Sequence, residues 1–257
     1  MIQRRDPRSA ARKILTKLNV SDLTGLSLKD VVQNFGPYVK EDSMVGAQGR
    51  ILFIGSLALI TINSNIQHYG QSRFVLAHEF GHAELHAGIK PVFNCDEDSF
   101  KQWLKNGEQE QEANEFAAEL LMPSKAFAGE CIGQEFSLDL IAHLADRFQT
   151  SQTATAIRII EQGPFPIAIV YSEDKKVKWF AKNRLFPLGH VVIGADTPPE
   201  SAARHWFNTG VTKQKVTDSW AWFFNDYNQK NFSRQRIREI ILPLPRYSGV
   251  LSFLRLE

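Results

Sequence analysis

The chain has 257 residues, 43% of them hydrophobic and 23% charged, a make-up that excludes disorder over most of its length and leaves room for one large domain or two small ones. Its formal net charge of +2 is too small to argue for nucleic acid or an anionic membrane surface. Two cysteines, Cys95 and Cys131, make no disulfide framework and fit a reducing, cytoplasmic compartment.

The basic start (Arg4, Arg5, Arg8, Arg12 and Lys13) reads as a solvated end. No apolar stretch follows it, so no signal peptide is expected. Residues 9–35 read as helices broken at Gly25. The longest apolar run, Ile51 to Ile62, is too short to span a bilayer. Its Gly55-Ser56 interruption makes residues 50–64 a hairpin. A helix is predicted from about Ser72 to His86, ended by Gly88 and Pro91. Residues 92–107 are polar and loop-like, and Cys95 there has no C-x-x-C partner, so it is not taken as a ligand. A second strong helix runs from about Gln109 to Met122 and stops at Pro123. Two more fit 137–148 and 151–161. Gly163-Pro164 marks the boundary between residues 1–162 and 163–257. Beyond it, Ile167–Tyr171 and Val177–Ala181 read as strands and 198–207 as a helix. The aromatic, β-rich tail after about Val216 is weakly patterned. The fold class expected is α+β: a compact helical core with a small sheet that includes 51–62, then a smaller α/β region.

His78-Glu79-Phe80-Gly81-His82 is an H-E-x-x-H motif. On a helix, residues i and i+4 lie about 40° apart in projection, so both imidazoles point the same way and can share one zinc ion. The glutamate between them can take a proton from water activated by the metal. Chance would produce the motif on the order of once in a hundred such chains, so its context matters. Phe74, Ala77, Gly81 and Leu85 flank the histidine side, which places the pair toward the interior. His86 repeats the i+4 step, but it lies about 12 Å along the axis from His78, too far for one ion to reach both. It is placed beside the site rather than in it.

A site of this kind needs a third protein ligand. Five glutamates lie in or beside the second strong helix. Glu108, Glu112, Glu115 and Glu119 project within about 60° of one another, as a solvent stripe would. Glu110 falls on the opposite side with Ala113, Asn114, Ala117 and Leu121. Glu110 is therefore the expected third ligand, with Glu112 the second choice. Asn114, one turn on, is placed to orient a ligand.

The run Arg73 to His82 followed by His86 resembles the ImmA/IrrE family of metallo-endopeptidases, and so does the run Glu110 to Pro123. The strand Ile60-Thr61-Ile62-Asn63 matches as well. The resemblance covers about residues 45–162, with both blocks in the same order and spacing. It implies His78, His82 and Glu110 as zinc ligands and Glu79 as the catalytic glutamate. It further implies a cytosolic α+β peptidase that cleaves helix-turn-helix repressors. About 45 residues precede the hairpin, so no separate DNA-binding domain is expected, and a separately encoded repressor is the natural protein partner. Residues 163–257 carry no transferable motif and are taken as a sensor, docking or stabilising region.

Two other readings compete. One is a zinc-containing protein that binds a regulator without cutting it; a retained metal with no cleavage would favour it. The other is a DNA-binding regulator, since Ser137–Glu161 has two helices joined near Gln149-Thr150-Ser151. Its second segment carries one arginine and little other basic character, so two packed helices are the preferred meaning and direct nucleic-acid binding is not expected.

Overall fold

A computed structural model describes residues 6–95, 107–225 and 235–257. The fold is α+β, and the chain divides into two compact units: Met1–Ile132 with Asp139–Arg158, and Gly133–Leu138 with Ile159–Glu257. Among the described residues no helix is long and apolar enough to cross a membrane.

In the first unit, α1 (Pro7–Leu18) starts where the Asp6 carboxylate accepts from the Ser9 N–H at 2.7 Å, and ends at Asn19 in the left-handed conformation. Its buried face is Ala10, Ala11, Ile14 and Leu15, the spacing of one helix stripe. α2 (Leu28–Asn34) begins after the Gly25 break, capped by Ser27. The strands β1 (Tyr38–Asp42), β2 (Gly49–Ile54) and β3 (Leu57–Asn63) follow. Gly55, at φ +61°, supplies the left-handed residue that the two-residue turn between β2 and β3 requires. The long helix α3 (Tyr69–His86) starts three residues before the sequence expectation, because the His68 ring caps the Gln71 N–H.

After α3, β4 (Val92–Cys95) pairs antiparallel with β2 and completes a sheet of order β1-β3-β2-β4, in which β1 is parallel to β3. The expected loop over 92–107 is thus corrected at its start; residues 96–106 lie outside the described residues. α4 (Glu108–Leu121) packs against α3 and α1, and α3 packs against β2 and β3. A Cβ on Gly81 would stand 3.2 Å from the Ala113 backbone and 3.1 Å from the Phe116 ring. Only a glycine lets the two helix backbones come this close.

Beyond Pro123, a further helix, α5 (Ser124–Cys131), precedes α6 (Leu138–Phe148) and α7 (Gln152–Gln162). Arg158 of α7 is 1% exposed, and its guanidinium donates to Glu119 at 2.5 Å, to the Met122 carbonyl and to Ser124. This corrects the expected solvent stripe on α4. Glu119 is 1% exposed, and Arg12 of α1 also reaches it. From Phe116 to Leu121 every residue of the helix is buried, with α1 packed on it and Arg158 of α7 reaching Glu119.

The second unit is an antiparallel sheet of order β6-β5-β9-β8-β7, from β5 (Ile167–Glu173), β6 (Lys176–Lys182), β7 (Lys215–Asp218), β8 (Arg236–Leu244) and β9 (Gly249–Leu256). Two helices join it, α8 (Ala202–Thr209) and the short α9 (Ser219–Phe223). Val170, Phe186, Trp222, Phe223 and Leu254 are among its core residues. The Glu239 carboxylate is wholly buried and accepts from the Ala202 and Ala203 N–H groups at the start of α8, from Ser252 Oγ and from Trp222 Nε1. Trp220 is exposed and Trp206 half-buried, whereas Trp222 belongs to the core.

Candidate metal centre

α3 carries His78 and His82 one turn apart, and α4 brings Glu110 to the same place. His78 Nε2 lies 3.1 Å from His82 Nε2 and 3.1 Å from Glu110 Oε2, and His82 Nε2 lies 3.5 Å from Glu110 Oε1. A tetrahedral ion with bonds of about 2.0–2.1 Å sets its ligand atoms about 3.3–3.4 Å apart. The triangle therefore fits zinc, and it is one donor short of the four that zinc takes. Both histidines are buried, while Glu110 keeps a quarter of its side chain exposed.

The other ring nitrogens are held as well. With Nδ1 protonated, His78 donates to Asn114 Oδ1 at 2.8 Å, which leaves the Nε2 lone pair facing Glu110 and His82. His82 Nδ1 meets His86 Nδ1 at 2.9 Å, and His86 Nε2 meets Glu112 Oε2 at 2.9 Å. One consistent set of protons runs from His82 to His86 and from His86 to the Glu112 carboxylate. Phe93 of β4 stacks on the His82 ring at 4.2 Å and 27°. His86 thus stands beside the triangle, and Glu112, the second choice for a ligand, bonds to His86.

Glu79 is wholly buried, and neither of its carboxylate oxygens has a hydrogen-bond partner. A Cβ on Gly49 of β2 would lie 2.6 Å from Glu79 Oε1, so the strand passes directly over this carboxylate. In the protein alone, burial pushes the Glu79 carboxyl up to about 8; His78 opposes this and Glu110 adds to it. A cation held by the neighbouring triangle would draw it back down. Burial drives His82 down to about 4, against Glu110. Burial also works on Glu110, but hydrogen bonds and charge from His78 and His82 hold it well below the usual carboxylate range. Burial opposes protonation of His78, yet Glu110, Glu79 and Asn114 together hold its pKa above the ordinary value. A neutral His82 beside an ionised Glu110 is the state in which these groups bind a dication.

The sequence reading missed Cys95. It is buried and in no disulfide, and a ligand atom from each of His78, Glu79 and Cys95 lies within 4.8 Å of the others. Its spacing from the motif carries no signal; only the pairing of β4 with β2 brings it in.

Two helices that pool an H-E-x-x-H pair and a glutamate beside a small sheet define the architecture of a metallopeptidase site. Residues 33–159 match the family model described as the IrrE N-terminal-like domain, Peptidase_M78, and through this segment the chain belongs to that family of peptidases. An uncharacterized immunity region protein 2 of Bacillus phage phi105 is 39% identical over 83 residues, which are 32% of this chain and 49% of that protein. The match therefore spans about half the length of that relative. A Mycobacterium tuberculosis transcriptional regulator has a similar fold, with a TM-score of 0.60 at 13% identity over 98% of this chain and 88% of that one.

Proposed function

We propose that the protein is a zinc-dependent endopeptidase of the cytoplasm that cuts a regulatory protein, a separately encoded helix-turn-helix repressor. The observation that carries the chemistry is the wholly buried Glu79 carboxylate, without a hydrogen-bond partner, beside a His78–His82–Glu110 triangle of zinc dimensions. A buried ionisable group without a partner is costly unless it has work to do. Zinc bound there would supply a Lewis acid that acidifies water and polarises a peptide carbonyl. Glu79 takes the proton of the attacking water on a carboxylate oxygen and returns it to the leaving amine. His78, His82 and Glu110 would hold the ion. Asn114 and the His86–Glu112 pair fix the orientation of the two imidazoles, and Phe93 covers the face of His82.

The choice of substrate is supported by family membership and by the phage relative, whose name places it in an immunity region. Residues 1–162 form the peptidase part in this reading, and 163–257 dock or sense. The exposed Trp220 is the residue type that anchors a protein partner.

The test combines elemental analysis with cleavage. Glu79→Gln keeps its zinc and loses cleavage of the candidate repressor, whereas His78→Ala loses the zinc. The wild type cuts the repressor and spares casein. A Glu79→Gln protein as metal-poor as His78→Ala overturns the division of roles, and rapid casein digestion overturns the narrow specificity.

A further inference from the structure

The first unit holds a second set of metal donors that shares one residue with the triangle. A ligand atom from each of His78, Glu79 and Cys95 lies within 4.8 Å of the others, and all three residues are buried. Cys95 is fixed at the end of β4, where it pairs with Gly49 and its carbonyl accepts from the Gln48 N–H at 2.7 Å. Gly49 is also the residue that stands over Glu79. The thiol is thus delivered by the same strand pair that roofs the glutamate. The independent sign of a ligand is Glu79 itself, wholly buried with both oxygens unpartnered.

We propose that His78, Glu79 and Cys95 form an alternative seat for a thiophilic divalent ion, and that an ion in this seat switches the site off. The donors are imidazole, carboxylate and thiolate, a set that favours zinc, cobalt and cadmium over magnesium and calcium. Binding replaces the thiol S–H bond by a sulfur–metal bond and releases the proton to solvent. His78 Nδ1 is engaged with Asn114, so both seats draw on Nε2 and a single ion occupies one or the other. In the triangle, Glu79 is free to move a proton. In the alternative seat, its carboxylate is a ligand and cannot do so. The inhibitory consequence rests on the peptidase reading; the binding itself does not.

Cobalt(II) tests the proposal, because a thiolate ligand gives it an intense near-ultraviolet charge-transfer band. The full chain is loaded with cobalt as wild type, as His82→Ala, which breaks the triangle but leaves the alternative seat whole, and as His82→Ala/Cys95→Ser. The band is expected in His82→Ala and absent from the double variant, with circular dichroism confirming that both are folded. Glu110→Gln, alone and with Cys95→Ser, carries the same expectation should His82→Ala not fold. Bound cobalt without the band, no bound cobalt, or a band that survives Cys95→Ser overturns the proposal. If the band fails while Glu79→Gln keeps zinc and loses cleavage, the peptidase reading stands alone. If the band appears while the zinc-loaded wild type leaves the candidate repressor intact, the alternative seat stands and the peptidase reading falls.

Discussion

Gly49→Ala isolates the contribution of the strand above Glu79. The added methyl would lie 2.6 Å from Glu79 Oε1, 2.6 Å from Val75 Cγ1 and 3.0 Å from Glu79 Cγ. Ordinary contacts begin near 3.5 Å, so about 0.9 Å of relief is needed on two sides at once. Overpacking of this kind costs about 1–3 kcal/mol, and replacing a strand glycine returns about 0.5–1 kcal/mol, for a net loss of roughly 1–2 kcal/mol. Val75 is held by the body of α3, so the carboxylate takes most of the shift. A general base displaced by nearly 1 Å costs on the order of 10²-fold in rate. None of the three atoms nearest the added methyl belongs to His78, His82 or Glu110. The expected outcome is a folded protein with a full zinc complement, a slightly lower urea midpoint and kcat down about 10²-fold. Wild-type kcat would refute the argument that the strand positions Glu79. Lost zinc would show that the strand acts on the ligands instead.

Three further outcomes are expected. His86→Ala frees His82 Nδ1 from its partner and weakens zinc about 10–100-fold in a chelator competition; unchanged affinity would mean that the chain from Glu112 to His82 does not orient the ligand. Arg158→Met leaves the buried Glu119 carboxylate with Ser124 and, as its remaining cation, the half-exposed Arg12, and costs about 3–5 kcal/mol in urea unfolding, while Arg158→Met/Glu119→Leu recovers most of the loss; additive losses would refute the pairing. Burial raises the Asp22 carboxyl, but hydrogen bonds from Arg147 and the Thr24 N–H bring it down to about 2. Because this folded pKa is depressed, its stabilisation is present above pH ~4 and is lost as the pH falls through about 2. The gap of roughly 1 kcal/mol between wild type and Asp22→Asn therefore closes in acid, Arg147 being one-third exposed; a gap that persists at pH 2 would refute this.

Parts of the molecule were legible because a local pattern and its tertiary meaning coincide. Gly55-Ser56 between apolar runs gives the β2–β3 hairpin, and α3 and α4 carry stop signals at Gly88 and Pro123. Glu110 was separable from its neighbours because it sits among alanines on the face of α4 that meets α3. The same projection failed for Glu119, since a helix wheel places residues relative to one another and does not reveal that α1 packs on the helix and Arg158 of α7 reaches Glu119. β1 and β4 are short edge strands of five and four residues, too brief for alternation to register. Ile167–Ser172 of β5 and Gly249–Leu254 of β9 are buried throughout, so no in–out rhythm marks their register in the sheet. Phe93 and Cys95 reach the site through strand pairing alone, and no short-range rule connects them to a histidine on α3.

The placement of the three donors also gives a metal ion a mechanical role. His78 and Glu110 are 32 positions apart along the chain. An ion bonded to both would cinch that interval as a covalent staple does, and a staple closing a loop of this length withdraws about 3–4 kcal/mol of freedom from the unfolded chain. Unlike a disulfide, such a staple opens whenever the free ion becomes scarce. The stability contributed in this way would rise and fall with the supply of the ion.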